Sequence, residues 1–498
     1  MSVSRSLAPI LLAAVLGFAE LLKAQAPPRN DEVSRLVSAL LGPTPLLDDL
    51  ATLTDRIGGR PTGSAANLRA VDWAVARFRD AGVPATRDAF PMPALWLERA
   101  ASATISGDGV EFSPRVAAMP FSIGTAPTGV TAPLLDAGFG TDADFQRLGD
   151  RARGAFLLVD THELTDIAGL FREYGEAAAI EARAETAAVT GLVYVGSRPN
   201  NLLYRHNASR GVDNTKPMIV IERDAGRRAL RLLRAGAALT LTERLDIQSG
   251  PAYESFNVVG EIRGSSRPEE IVVMGAHLDS WDLGTGALDN GANAAMMIDI
   301  ARQMVRLGLR PSRTVRFALW NGEEQGLNGS LGYTRSHLGE MDGHVVAGSV
   351  DIGCGRITGF FTNGRAELAA AVDRHLAPIA GLGPFTQIDI PIVGTDNFDF
   401  MLQGVPNLVA NHEPASYGPN YHARSDEFDK CDAVQLRLNA AVVAAVVHGF
   451  ARDEARLPRH SRADVEALVR TTDLGQQMKT FGYLDAWNAG TRGRALDR

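Results

Sequence analysis

GAHLDSWDLGTGALDNG, residues 275–291, follows directly on the apolar run IVVM at 271–274. Such a run reads as a strand buried on both faces, the kind found in parallel sheets. The segment leaving it carries His277, Asp279, Asp282, Asp289 and Asn290. Polar and charged groups beside a core are costly unless water, hydrogen bonds or an ion compensates them. What the other strand ends carry decides which of these applies.

The same rhythm recurs from residue 253 onward. NVVGEIRG, EEIVVMGAH, RTVRFALWNGEE, HVVAGSVDIG and VPNLVANHE each read as a strand. Amphipathic helices separate several of them. In NAAMMIDIARQMVRLG, for example, Ala294, Met297, Ile298, Ala301 and Val305 share a face. This alternation predicts an α/β fold, a mostly parallel mixed sheet sandwiched by helices. Ligands of such sheets gather beyond the carboxyl ends of the strands. Those ends read His277, Glu323–Glu324 and Asp351, with Asp289 in the loop before a helix and His422 in YHARSD.

Each residue alone has a plain structural reading. A lone His is commonly a hydrogen-bonded framework residue, Glu-Glu an exposed turn, and Asp289-Asn290-Gly291 an ordinary turn. Six metal-suitable side chains on strand termini together point to a metal site instead. Five ligands exceed the three of an open catalytic zinc and suit two ions sharing a bridging carboxylate. Neither HExxH nor GxSxG occurs, which argues against a helix-borne single-zinc protease and a nucleophile-elbow hydrolase.

The chain has 498 residues, too many for one ordinary compact core, with 45% apolar and 22% charged residues. A net charge of -8 without clustered Lys and Arg argues against a nucleic-acid partner. Residues 1–26 resemble a signal peptide, which predicts a secreted or periplasmic protein. No later run approaches the ~20 apolar residues of a membrane span.

DEVSRLVSALLG and LLDDLATLTDRIGG predict two short helices. GRPTGSAANLRAVDWAVARFRDAG predicts a turn and a helix with Leu68, Val71, Val75 and Phe78 on one face. Residues 27–125 and 246–455 read as one discontinuous domain. Residues 126–245 read as an inserted small α/β domain, non-catalytic because they hold no cluster of ligands or nucleophiles. Residues 456–498 read as a polar C-terminal extension with one helix and no assigned chemistry. Cys354 and Cys431 are the two cysteines. Cys354 has three readings, as a ligand, as a disulfide partner of Cys431 or as filler, and filler is preferred.

HLDSWDLGTGALDNGA, WNGEEQG, SVDIG and YHARSD resemble the co-catalytic dizinc aminopeptidases, whose fold is of the zinc aminopeptidase/phosphorylase-like kind. HLDSWD is most similar to the family's plasma glutamate carboxypeptidase branch. The resemblance covers most of the chain, with 126–245 similar to a protease-associated domain and GTDNFDFMLQGVP to a substrate-side loop. It implies a zinc-dependent exopeptidase acting on small peptides, with two Zn2+ per chain and a possible homodimer. One ion would be held by His277 and Asp351 and the other by Glu324 and His422, with Asp289 bridging.

Glu323 would be the general base, and Asp279 would orient His277 as Asp426 would orient His422. His412 rivals His422 as the last ligand, and Trp281, Tyr417 and Asn411 are candidates for the pocket wall. Asn290 stands where many relatives carry Asp. Whether the activity is that of an aminopeptidase, dipeptidase or carboxypeptidase stays open. The alternatives are a single-zinc glutaminyl cyclase and a non-catalytic, receptor-like homologue.

Overall fold

The computed structural model of the chain describes residues 31–206 and 211–496. The segment read as a signal peptide lies outside the described residues. Seven strands build the central sheet: β1 (Ala85–Met92), β2 (Tyr253–Ile262), β3 (Arg267–His277), β4 (Arg313–Trp320), β5 (His344–Ser349), β6 (Ile357–Phe361) and β7 (Asn407–His412). Their order is β1-β2-β4-β3-β5-β7-β6. The middle four, β4, β3, β5 and β7, run parallel. The pairings of β1, β2 and β6 are antiparallel and flank them.

Successive residues of β3 point to opposite faces. Val272, Met274 and Ala276 join the main core, while Ile271 and Val273 pack with Tyr333 and Phe400 on the other side. Burial on both faces explains why these strands read as unbroken apolar runs. Helices Asp31–Leu41, Ala65–Asp80, Ala292–Arg306 and Ala433–Arg452 cover the first face. Ala292–Arg306 is buried nearly all round, Met296, Ile300 and Met304 included, rather than on one stripe. Ala433–Arg452 is long and apolar enough to cross a membrane. Its Ala440–Val447 stretch lies wholly in the core, which accounts for that composition.

Ser64 caps Ala65–Asp80 by accepting from the Asn67 amide at 3.0 Å. The expected apolar face of this helix is shifted. Leu68 is exposed, and Ala70, Val71, Ala74, Val75 and Phe78 are buried. Small alanines let the helix approach the sheet where a leucine would hold it off.

The second sheet has eight strands in the order Val110–Phe112, Leu95–Gly107, Leu239–Gly250, Val130–Asp136, Phe156–Val159, Gly191–Val195, Met218–Ile221 and Val116–Ala118. A division at residue 126 does not follow this pairing, because all three strands between Leu95 and Ala118 belong here. Leu95–Gly107 runs antiparallel to Leu239–Gly250, with Leu95 opposite Gly250. Chain entry and exit therefore sit side by side. The C-terminal segment holds three helices rather than one, Arg462–Thr471, Leu474–Thr480 and Leu484–Asn488. Val465, Leu474, Met478 and Trp487 pack on Leu327, Val393 and Phe398. Cys354 and Cys431 form a disulfide, which corrects the filler reading.

Glu243 lies on the strand Leu239–Gly250 between Leu241 and Leu245 and on their side of it, completely buried, and neither carboxylate oxygen has a hydrogen-bond partner. Burial pushes its carboxyl up to about 8. The folded chain thus keeps this proton between the ordinary carboxyl value and pH 8 while the unfolded chain releases it. Stability from this group is full below that window and falls as pH rises through it. Glu243→Leu is expected to raise stability at pH 8 by roughly 1–4 kcal/mol and to gain much less at pH 4. Urea unfolding at both pH values checks this, and equal gains would contradict it.

Candidate metal centre

Sheet register assembles the site. In β3 and β5, Gly275 pairs with Ser349, so His277 and Asp351 each lie two residues further along neighbouring parallel strands. His277 also pairs with Trp320 of β4, three residues before Glu323. Gly275 is required here, since a Cβ would lie 2.4 Å from Trp320 Nε1 and 2.9 Å from the Ala318 carbonyl. The loop back from β3 is cinched by buried Arg60, which donates to the carbonyls of Leu278, Thr285 and Gly286. This loop carries Asp289 over the strand ends.

Two clusters result, and Asp289 belongs to both. His277 Nε2 lies 3.1 Å from Asp289 Oδ1 and 3.0 Å from Asp351 Oδ1. His422 Nε2 lies 2.9 Å from Glu324 Oε2 and 3.5 Å from Asp289 Oδ2. Ligand atoms about 2.0–2.1 Å from a tetrahedral zinc sit about 3.3 Å apart, so both spacings fit. Asp289 Oδ2 and Glu324 Oε1 are buried without a hydrogen-bond partner. Burial pushes Glu324 up to about 7, Asp351 to about 6, and Glu323 well above the usual carboxylate range. A cation in each cluster meets both demands: it takes the orphaned oxygens and stabilises the ionised carboxylates. All five expected ligands converge, with Glu323 lining the same cavity as Glu324 and His422.

Comparison with known proteins accords with this geometry. Residues 257–447 match the model of peptidase family M28. Carboxypeptidase Q of Rattus norvegicus is 31% identical over 343 residues, covering 68% of this chain and 71% of the rat protein. The chain belongs to peptidase family M28. It is a metallo-exopeptidase whose fold matches that of a Peptidase M28 precursor from Shewanella amazonensis. That structure has a TM-score of 0.77 and 26% identity, over 86% of this chain and 98% of the other. A zinc aminopeptidase from Bacillus subtilis shares the fold, with a TM-score of 0.65 and 21% identity over 83% and 96% of the two chains.

The supports of the expected ligands differ in part from expectation. His277 Nδ1 lies 2.9 Å from the main-chain oxygen of Asp279 and 3.6 Å from its carboxylate. That carboxylate instead accepts from Thr62 Oγ1 at 2.7 Å and the Gly322 amide at 3.0 Å, tying the GRPTG turn to the NGEE turn. Asp426 does not orient His422. It accepts from the Leu288 and Asp289 amides at 2.6 and 3.1 Å and so sets the bridging residue. His422 Nδ1 lies 3.3 Å from the Arg205 carbonyl of the second sheet's unit. His422 also holds a left-handed φ of 57°, uncommon for a non-glycine residue and frequent at functional sites. His412 lies in β7 outside both clusters.

A cavity of about 480 Å³ opens on Glu323, Glu324 and His422. Trp281 lines it as expected, whereas Tyr417 and Asn411 do not. Tyr417 packs in the main core, and Asn411 bonds Thr358 Oγ1 at 3.2 Å. Phe121 and Tyr174 come from the second sheet's unit, and Phe481, Tyr483 and Arg492 from the C-terminal segment. Neither segment was assigned chemistry from sequence, and no local motif marks these five residues. Only their packing brings them to the site.

Asn290 is a departure with a visible consequence. Its amide donates to Asp351 Oδ1 at 2.8 Å and to the Val350 carbonyl at 2.9 Å, aiming a ligand. Asn290→Ala is expected to weaken zinc at the His277–Asp351 position by roughly 10–100-fold and the other position less. Competition with a chromophoric chelator measures this, and equal retention at both positions would contradict it.

Proposed function

We propose that this protein removes terminal residues from small peptides, with His277, Asp351, Glu324 and His422 holding two zinc ions and Asp289 between them. The shared carboxylate carries this reading. Asp289 Oδ1 faces one imidazole at 3.1 Å while Oδ2 faces the other at 3.5 Å. A single-zinc cyclase has no use for two complete ligand groups. Bound zinc supplies Lewis-acid polarisation of the scissile carbonyl and raises the acidity of water.

The remaining work falls to the chain. Glu323 takes the proton of the attacking water and delivers it to the departing amine. Its raised proton affinity, caused by burial first and opposed by His277, suits a group that must receive a proton near neutral pH. Glu324, one residue on, would serve as a ligand instead, because its Oε2 lies 2.9 Å from His422 Nε2, a spacing that suits two groups sharing one ion. Asp279 acts by placing the His277 ring and by joining the two turns around Glu323. Walls from residues 95–250 and from the C-terminal segment limit the substrate to short chains. Export, read from residues 1–26, is supported by the Cys354–Cys431 disulfide, which belongs to oxidising compartments.

A panel of dipeptides and tripeptides with free, acetylated or amidated ends, assayed beside metal analysis, tests the reading. Hydrolysis that requires one free terminus, with two zinc ions per chain, is expected. Cleavage only inside long peptides would overturn it. Glu323→Gln is expected to keep both metals and lose about 10²–10⁴-fold in kcat. Near-normal turnover at full metal content would remove Glu323 from its role.

A further inference from the structure

We infer that Tyr174, supplied by the unit of the second sheet, is a positioning residue of the peptidase site. This rests on the exopeptidase reading above and extends it to a part of the chain without ligands of its own. Tyr174 lies on helix Ile167–Thr186. Its hydroxyl is 2.6 Å from that of Tyr421, and both side chains line the cavity with Glu323, Glu324 and His422. Tyr421 directly precedes the metal ligand His422 and stacks on its ring with centroids 3.7 Å apart. On its other side Tyr174 meets Phe481 of the C-terminal segment at 4.9 Å. One file of rings, Phe481–Tyr174–Tyr421–His422, thus joins three distant segments over the metal centre.

The chemistry follows from counting protons. Two phenol groups carry two O–H donors, and their mutual hydrogen bond consumes one. The second must find an acceptor elsewhere, and both side chains line the cavity that receives the substrate. With Tyr174 donating to Tyr421, the Tyr421 proton faces the peptide beside His422. The carbonyl oxygen of a scissile peptide gains negative charge during attack, and a donor fixed in advance stabilises that charge more than one that must reorient. Tyr174 is what fixes it. A phenol alone on Tyr421 rotates about its C–O bond, and the 2.6 Å partner removes that freedom.

A structural reading makes a different prediction, because Tyr174→Phe keeps the ring contact with Phe481 and removes only the oxygen that meets Tyr421. The zinc-loaded full-length protein is to be compared as wild type, Tyr174→Phe, Tyr421→Phe and the double variant. Tyr174→Phe is expected to lower kcat about 10-fold or more on a dipeptide, with KM within about threefold and zinc content unchanged. The double variant is expected to be no slower than Tyr421→Phe, because one residue acts through the other.

Calorimetric binding of a phosphinic pseudodipeptide, whose tetrahedral phosphorus mimics the attacked carbonyl, is expected to weaken by a factor similar to the loss in kcat. Unchanged kcat and unchanged analogue affinity in Tyr174→Phe would overturn the inference. So would a double variant slower by the product of the two single effects. Failure of the exopeptidase reading would show separately, as wild type that neither cleaves peptides nor binds the analogue.

Discussion

Asp289 shares its carboxylate between two imidazoles that come from opposite ends of the catalytic half of the chain. Oδ1 meets His277 at 3.1 Å and Oδ2 meets His422 at 3.5 Å, and all three side chains are buried. Without cations, burial raises the proton affinity of Glu323, Glu324 and Asp351. With them, the same acids would serve as ligands and a base, as proposed above. Much of the surrounding architecture keeps this one residue in place. Arg60 cinches its loop, Asp426 receives its amide, and the register of β3 against β5 brings Asp351 opposite.

Division of labour between adjacent glutamates follows from that placement. Glu324 faces His422, whereas His277 is the nearest opposing influence on Glu323 and Asp396 adds to its proton affinity. Asp396 is itself buried, in the GTDNFDF loop. In the proposed mechanism one step along the chain would thus separate two roles, because environment rather than residue type assigns them.

The second sheet and the C-terminal segment enter the site by contact rather than by supplying ligands. The Arg205 carbonyl stands behind His422, and Tyr174, Phe481 and Tyr483 wall the cavity. Arg492 is held among them by Asp399 at 2.9 and 2.7 Å. Three separate parts of the chain thus finish one cavity. The strands Leu95–Gly107 and Leu239–Gly250 make this possible, since their pairing carries one insertion out and back at a single edge.

The α/β class and most of the converging set were legible in sequence because His277, Asp289, Glu323, Glu324 and Asp351 each sit at a strand end or in the first loop after one. Apolar runs mark such strands, and the period of two then fixes which side chains leave the sheet. His277 after IVVM, Glu323–Glu324 after RFALW and Asp351 after AGSV needed nothing further. Tertiary structure alone decided the rest. The contacts of Asp426, the bond between Cys354 and Cys431 and the exposure of Leu68 all depend on distances between residues remote in sequence. So do the cavity walls from Tyr174 and Arg492. Local pattern reports the angle at which a side chain leaves its own element, and it carries no record of which other element arrives to meet it.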